Sequence, residues 1–175
     1  GSRLSIKQPV IGYRAAIDPI LLAAAIPAKP GERVFDVGAG AGAASLALAA
    51  RLSNIEIQGI EIQAEYVELA RENAKQNKFQ DVVSFFDGDI SKIGNKSTLD
   101  SFNHVMTNPP FIKFGQGRVS KNIGKSIANM ESEFGLTDWI NFCIRAVKTR
   151  GTVTLIHRAD RLEEILSAFS GKVAV

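Results

Sequence analysis

The chain alternates short apolar runs with longer segments in which apolar residues recur every three or four positions. Apolar runs of about four to eight residues between turn residues are typical of buried strands, whereas the longer spacing is typical of amphipathic helices. This pattern predicts five strands, at residues 33–38, 55–62, 82–89, 102–108 and 151–158. It predicts four helices among them, at residues 43–52, 64–77, 137–148 and 161–169.

Three further signals mark where elements begin. Asp18 followed by Pro19 is typical of a helix start, with Asp as the N-cap and Pro at the first helical position. This helix is expected to run through the apolar stretch that follows and to stop near Pro27. Thr137 predicts the N-cap of a later helix, and Gly151 is expected to begin the last strand.

The regular alternation of strands and helices predicts an α/β fold. Right-handed crossovers then produce one parallel sheet that is covered by helices on both faces. In open sheets of this type, ligands bind beyond the carboxyl ends of the strands. The residues at those ends are therefore the candidates for function.

The composition narrows the class of protein. Hydrophobic residues make up 45% and charged residues 22% of 175 residues, which suits a single globular domain. No apolar run approaches the length of about 18–20 residues that spans a bilayer, so we expect no membrane segment and a cytoplasmic location. One cysteine, Cys143 in an apolar pattern, and two histidines are too few for a structural zinc site, so no metal is expected.

Positive charge is unevenly distributed along the chain. The net charge is only +3, but no acidic residue lies between Asp100 and Glu131. The ordinary interpretation of such a stretch is a solvated loop, and the alternative is contact with the phosphates of a nucleic acid. The candidate phosphate-binding residues are Lys113, Arg118, Lys121 and Lys125, together with Arg14 near the start of the chain.

The first strand ends in a glycine-rich turn with Gly38, Gly40 and Gly42, which lets the backbone approach a ligand closely before a helix begins. A tight turn without a ligand is the ordinary alternative. Gly38, Gly40 and Ala43 fit a relaxed dinucleotide-binding pattern. However, Asp36 stands where dinucleotide folds usually have an apolar residue, and a buried carboxylate needs a partner. S-adenosylmethionine carries a cationic amino group that would supply one, so it competes with NAD here.

The second and third strands end in acidic residues. Glu61 is placed to accept hydrogen bonds from both ribose hydroxyls of either cofactor, and a surface acid is its ordinary alternative. At the third end, Asp89 is expected to accept from the amino group of adenine, with Ile90 against the ring. Asp87 is the competing acid, because Gly88 can turn the chain either way.

The fourth strand ends in Asn108, Pro109, Pro110 and Phe111. The order of the four strand-end motifs resembles that of the class I S-adenosylmethionine-dependent methyltransferases. Among them, Asn-Pro-Pro-(Phe/Tyr) resembles the enzymes that methylate planar exocyclic or amide nitrogens. The stretches at residues 12–25 and 157–166 are also similar to the bacterial tRNA(Val) adenine-N6-methyltransferase group.

This resemblance implies a Rossmann-like, doubly wound and mostly parallel sheet. The class I fold normally adds two strands after the fifth, the last of them antiparallel. Residues 171–175 are expected to supply the first of these, and the last strand has no sequence here. Residues 1–30 are expected to form an N-terminal tail and helix on the substrate side, and residues 31–175 the methyltransferase domain.

The resemblance also implies a catalytic arrangement. The side-chain oxygen of Asn108 and the carbonyl of Pro109 would accept the two N–H groups of an adenine amino group. The prolines, including Pro110, would fix the direction of that carbonyl because their φ angles are locked. Phe111 would stack on the base, and no general base is expected.

Several acceptors remain open after the motif alone. RNA adenine N6, in tRNA, is the first expectation, and guanine N2 of ribosomal RNA is the second. A protein glutamine amide would suit a Tyr in place of Phe111 and an added N-terminal helical domain. From other classes, a NAD-binding oxidoreductase and a non-catalytic methyltransferase-like binding module are the alternatives.

Overall fold

A computed structural model describes residues 4–11, 14–93, 101–111 and 134–174. Its centre is one sheet of five parallel strands in the order β3-β2-β1-β4-β5. The strands are β1 (Arg33–Val37), β2 (Glu56–Glu61), β3 (Val83–Asp87), β4 (Phe102–Thr107) and β5 (Val147–Leu155). The predicted parallel α/β sheet is therefore confirmed. The strand order reverses between β1 and β4, where open sheets usually bind their ligands.

Helices cover both faces of the sheet. They are α1 (Asp18–Ala25), α2 (Ala43–Arg51), α3 (Ala64–Gln76), α4 (Leu136–Ala146) and α5 (Leu162–Phe169), with a short 3-10 turn at Ala159–Arg161. Alternate strand residues point to opposite faces. Thus Val34 and Met106 pack with α1, α2 and α3, while Phe35 and Val105 pack with α4. No helix in the described ranges is long and apolar enough to cross a membrane.

Two helix starts differ from the sequence prediction. α1 has Ile17 as its N-cap, so Asp18 is the first helical residue and Pro19 the second. Asp18 makes no capping bond, although its charge still lies in the first turn, where the helix dipole favours it. α4 begins after Gly135 rather than after Thr137, because Leu136 is already buried between α4 and α5.

The start of β5 was also predicted wrongly. The strand begins at Val147, four residues before the predicted Gly151, and α4 ends at Ala146. Its pairing with β4 is irregular, since Phe102 pairs with Val147 but the next paired residue, His104, faces Thr152. Gly151 fits this irregularity because a Cβ there would lie 2.5 Å from a carbonyl oxygen of β4.

The expected sixth strand is not formed by residues 171–174. After α5 the chain makes a turn in which the amides of Lys172 and Val173 donate to the Phe169 carbonyl, at 3.0 and 3.3 Å. Gly171 has a φ of +70°, which suits a glycine at a helix end. Because these amides bond to the end of the helix, they are not available for pairing with β5. Val175 lies outside the described residues.

The N-terminal segment, residues 4–11, has no regular structure and is held in place by Asn73, which is fully buried in α3. Its Oδ1 accepts from the Lys7 amide at 2.8 Å, and its Nδ2 donates to the carbonyls of Lys7 and Ala41 at 2.9 and 3.0 Å. Asn77 makes a similar pair of bonds to the backbone of Ser5, but at the surface. The segment is thereby fastened to α3 and to the turn that follows β1.

The two asparagines give a matched test of this attachment. Asn73→Ala should lower the free energy of unfolding by about 2–4 kcal/mol, because it removes three hydrogen bonds to partly buried backbone groups from a fully buried position. Asn77→Ala should cost about 1 kcal/mol or less, because water can replace its bonds. Urea unfolding of both variants measures the difference. Equal losses would show that burial of Asn73 is not what fastens the segment.

Candidate active site

A cavity of about 400 Å³ opens at the carboxyl ends of the strands, beside the reversal between β1 and β4. Cavities of roughly 300–1,000 Å³ are typical of small-molecule and cofactor sites. Residues from all four predicted strand-end motifs line it together: Asp36, Gly38, Gly40, Glu61, Asp89, Ile90, Asn108, Pro109, Pro110 and Phe111. The structure thus brings into one place residues that are up to 75 positions apart in the sequence.

The turn after β1 presents its backbone to this cavity. The amides of Gly38 and Ala39 both donate to the Ile60 carbonyl, at 2.9 and 3.0 Å, which ties the turn to the end of β2. Gly40 has a φ of +54°, and a Cβ built there would meet no atom within 4 Å. Gly40 therefore faces open space, where a ligand can approach the main chain.

Gly42, the third predicted glycine, has a different position. It does not line the cavity and instead precedes α2 as its N-cap. A Cβ there would lie 2.7 Å from the ring of Phe85, in the core. Gly42 therefore serves the close packing of the turn on the sheet rather than direct contact with a ligand.

The buried carboxylate of Glu61 holds the glycine turn. One oxygen accepts from the Gly40 amide at 2.9 Å and the other from the Gln63 amide at 3.0 Å. Burial raises the pKa of Glu61, and these backbone bonds oppose the rise. Each carboxylate oxygen can accept a further hydrogen bond. Glu61 can therefore accept from two hydroxyls of a ligand while it keeps the turn in place.

Asp36 is buried at the base of the cavity, with 2% of its surface exposed. Its carboxylate accepts a hydrogen bond of 2.6 Å from the Ser45 hydroxyl. Burial raises the pKa of Asp36 to about 7, and the nearby Glu61 charge adds to the effect. No basic side chain in the described part of the chain pairs with Asp36. A cationic group on a ligand would stabilise the ionised form.

The structure distinguishes the two acids after β3. Asp89 lines the cavity, whereas Asp87 ends the strand, is exposed and does not line it. Asp89 accepts from the amide and hydroxyl of Ser91 at 3.0 and 2.6 Å and pairs with Lys92 at 3.1 Å. These contacts, the Ser91 bond foremost, hold the pKa of Asp89 below its usual value. Asp89 is thus ionised and accepting at neutral pH.

The Asn-Pro-Pro-Phe motif follows a firmly fixed strand end. The buried hydroxyl of Thr107 donates to the Val37 carbonyl at 2.7 Å and accepts from the indole of Trp139 at 2.8 Å. This joins β4 to β1 and to α4 immediately before Asn108. The motif therefore begins from a point that is tied to the end of β1, one residue before the glycine turn.

Trp139 is a cavity residue that the sequence analysis did not identify. Besides its bond to Thr107, its ring lies so close to Gly38 that a Cβ there would be only 2.9 Å away. Periodicity places Trp139 on an amphipathic helix, which is correct. Its contact with Gly38 depends on where α4 packs, and no local pattern carries that information.

Residues before β1 supply part of the wall: Gln8, Ala15 just before α1, and Pro19 and Leu22 of α1. The sequence did not indicate any of these four as site residues. Arg14, predicted to bind substrate, is exposed and adjacent to Ala15. The other predicted substrate-binding residues, Lys113, Arg118, Lys121 and Lys125, lie outside the described residues. In the described ranges, no three His, Cys, Asp or Glu side chains are grouped so that they could hold a metal ion.

A family model described as "Methyltransferase small domain" matches residues 16–133, more than half of the chain. The chain belongs to the methyltransferase small domain family. This match confirms the resemblance to methyltransferases that the strand-end motifs suggested.

Two curated relatives of this methyltransferase domain carry the same name. The tRNA1(Val) (adenine(37)-N6)-methyltransferase of Porphyromonas gingivalis (strain ATCC 33277) is 30% identical over 173 residues, which cover 93% of this chain and 66% of the relative. The enzyme of that name from Dyadobacter fermentans is 26% identical over 158 residues, covering 90% of this chain and 64% of the relative. The chain thus spans slightly less than two thirds of the length of these relatives.

Solved structures confirm the Rossmann-like methyltransferase fold. A predicted O-methyltransferase from Agrobacterium tumefaciens has a TM-score of 0.67 at 28% identity, covering 87% of this chain and 67% of that chain. A methyltransferase from Geobacter sulfurreducens, solved in complex with S-adenosyl-L-homocysteine, has a TM-score of 0.58 at 20% identity. That comparison covers 85% of this chain and 50% of the other.

The buried carboxylate of this methyltransferase domain predicts how its stability depends on pH. Because the pKa of Asp36 rises from its usual 3.8 to about 7 in the folded state, its contribution to stability falls as pH rises through that interval. At about pH 8, the free energy of unfolding of Asp36→Asn should therefore exceed that of the wild type by about 2–4 kcal/mol. At about pH 4 the two proteins should be similar. Urea unfolding at both pH values measures this.

The control for this prediction is Asp87→Asn, which removes an exposed carboxylate two residues before Asp89. It should change the free energy of unfolding by less than about 0.5 kcal/mol at either pH. An increase in the free energy of unfolding of Asp36→Asn that is the same at both pH values would contradict the assignment of the pH effect to Asp36.

Proposed function

We propose that this domain transfers the methyl group of S-adenosylmethionine to the exocyclic N6 of an adenine in tRNA. One observation carries the proposal: the Asn-Pro-Pro-Phe motif shares a single cavity with the glycine turn and with the acids Asp36, Glu61 and Asp89. A methyl donor and a planar nitrogen acceptor can therefore meet there. Membership of a methyltransferase family favours S-adenosylmethionine over NAD.

Each acid suits a different part of the cofactor. Asp36, buried without a basic partner among the described residues, suits the cationic amino group of the methionine part. Glu61 suits the two ribose hydroxyls, and Asp89 suits the amino group of adenine, with the buried Ile90 against the ring. Gly40 leaves the main chain open to the cofactor, and Gly38 lines the same cavity beside the Trp139 ring. When bound, the cofactor supplies an electrophilic methyl group on its sulfonium sulfur.

An adenine amino group is a weak nucleophile because its lone pair is delocalised into the ring, and the motif residues counteract this weakness. Asn108 Oδ1 and the Pro109 carbonyl accept the two N–H groups and favour the pyramidal form, in which the lone pair is available. They also hold the nitrogen in line with the methyl group, so positioning and oriented dipoles lower the barrier. The nitrogen would gain the methyl group as the carbon–sulfur bond of the sulfonium breaks and leaves its electrons on sulfur, and the methylated nitrogen would then release a proton to solvent. Phe111 lies at the cavity as a stacking surface for the base.

The choice of tRNA is supported by the relatives and by charge. Two relatives that match most of this chain are named as tRNA1(Val) (adenine(37)-N6)-methyltransferases. Arg14 is exposed beside the cavity wall, and the stretch between Asp100 and Glu131 carries basic residues without acids. We further propose that residues 1–30 form the substrate side of a methyltransferase domain at residues 31–175. The proposed location is the cytoplasm, where tRNA is found.

The catalytic role of Asn108 is tested by Asn108→Ala. This variant should retain affinity for S-adenosylmethionine, measured by calorimetry, and should lose kcat by about a hundredfold or more, because its bond is strongest in the transition state. Asn103→Ala is the matched control: Asn103 lies at the other end of β4 and accepts from the Arg33 amide at 3.0 Å. The control should keep the wild-type kcat once its stability is taken into account.

The product identifies the acceptor. Digestion of methylated tRNA and mass spectrometry should yield N6-methyladenosine. Detection of N2-methylguanosine would instead identify guanine N2 as the acceptor. Methylation of a protein glutamine alone would exclude RNA as the substrate. Wild-type kcat in Asn108→Ala would contradict the mechanism.

The basic stretch makes a separate prediction about salt. Each neutralised phosphate contributes roughly 0.7–0.9 to the slope of log affinity against log salt, so replacing Lys113, Arg118, Lys121 and Lys125 by alanine should flatten the slope by about 3. The matched control replaces four cations near the opposite end of the sheet, Lys29, Lys75, Arg145 and Lys148, and should leave the slope nearly unchanged. tRNA binding over a salt series measures both. Parallel lines for the wild type and the first variant would exclude the stretch from RNA contact.

A further inference from the structure

We infer that His157 is a positioning residue, whose imidazole holds the second proline and the phenylalanine of the Asn-Pro-Pro-Phe motif from behind the cavity. His157 comes two residues after the end of β5 and is not among the residues that line the cavity. The inference rests on the proposed function, because it assigns a purpose to the motif's geometry.

Strand register brings His157 to the motif. In the β4–β5 pair, Thr107 lies opposite Leu155, and the Ile156 amide donates to the Thr107 carbonyl at 3.2 Å. The two chains therefore continue side by side beyond the last paired residues. Two residues after Leu155, His157 is level with the prolines that follow Asn108.

The imidazole contacts Pro110 and Phe111, the last two residues of the motif. Its Nε2 lies 3.3 Å from the Pro110 carbonyl oxygen, and its ring meets the Phe111 ring edge-on, with centroids 5.3 Å apart and planes at 74°. A carbonyl oxygen can only accept, so Nε2 must carry the proton. Nδ1 is buried and has no hydrogen-bond partner among the described residues, which leaves it as the unprotonated nitrogen.

The two prolines explain why the main chain of the motif depends on a bond from a side chain such as His157. Neither Pro109 nor Pro110 has an amide hydrogen, so the segment cannot be fastened by donating from its main chain. Only carbonyl oxygens remain to fix its orientation, and His157 engages one of them. With the Pro110 carbonyl bonded to His157, the Pro109 carbonyl is left for the substrate amino group. The edge-on ring contact also restrains Phe111, whose face must meet the base.

Two substitutions separate the two contacts. His157→Phe keeps an aromatic edge toward Phe111 but has no donor for Pro110, so kcat should fall about 3- to 10-fold with little change in KM for tRNA. His157→Gln keeps an amide donor but has no ring, so KM should rise about 3- to 10-fold and kcat should change less. His157→Ala loses both contacts and should reduce kcat/KM by about 10- to 50-fold.

The second histidine supplies a control for a purely structural effect. His104 lies in β4 away from the cavity, with its ring nitrogens 2.8 Å from the Thr152 hydroxyl and 2.8 Å from a Glu32 carboxylate oxygen. His104→Ala should lower the melting temperature while kcat and KM of the folded protein stay at wild-type values. If the His157 variants instead lose stability without the kcat and KM split, His157 is merely structural and the inference is overturned.

A spectroscopic measurement tests the contact without any activity. At about pH 8, ¹⁵N shifts of the His157 ring should show a protonated Nε2 and an unprotonated Nδ1. The Pro110 carbonyl ¹³C signal should move in His157→Phe and much less in His157→Gln. The opposite tautomer, or an unmoved carbonyl signal, overturns the inference. If these signals agree with it but the wild type fails to methylate tRNA, the proposed function fails and the assigned contact stands.

Discussion

The arrangement of the site depends on one buried hydroxyl. Thr107 donates to the main chain of β1 and accepts from Trp139, so three elements meet at its oxygen. On one side of this junction lies the glycine turn, and on the other lies Asn108. In the proposed reaction these two sides hold the donor and the acceptor. In that proposal, the single side chain of Thr107 links the two strand ends that position the methyl donor and the acceptor nitrogen.

Around this junction the domain concentrates groups that are unfavourable without a ligand. Two carboxylates, Asp36 and Glu61, are buried close together, and burial raises the pKa of both. The Asn-Pro-Pro corner adds main chain that cannot donate hydrogen bonds. Elsewhere the same fold is conventional, with apolar strand faces packed against helices. Stability gained in the core thus compensates for these unfavourable groups at the site that we propose holds a cationic cofactor and a polar base.

The sequence was most informative where local chemistry determines structure. The order of strands and helices, the glycine turn and the acids Glu61 and Asp89 could be inferred because each follows an apolar run and parallel strand ends converge. The parallel fold was confirmed, while the roles of the site residues remain predictions. Trp139 and the contacts of His157 could not be inferred, because they depend on the packing of α4 and on the register of β5. The start of β5 failed for a related reason, since its irregular pairing with β4 has no signature in the apolar pattern.

The asparagine in α3 has a consequence for how such a domain can diverge. Asn73 contacts the main chain of Lys7, so this attachment does not depend on which side chain residue 7 carries. The Lys7 side chain adds only an exposed ion pair with Glu72 at 3.2 Å, so residue 7 can change in charge and size while Asn73 still holds the tail. In the proposed reaction on tRNA, a fixed catalytic centre can in this way be combined with a variable rim, so that new nucleic-acid preferences can arise without rebuilding the fold.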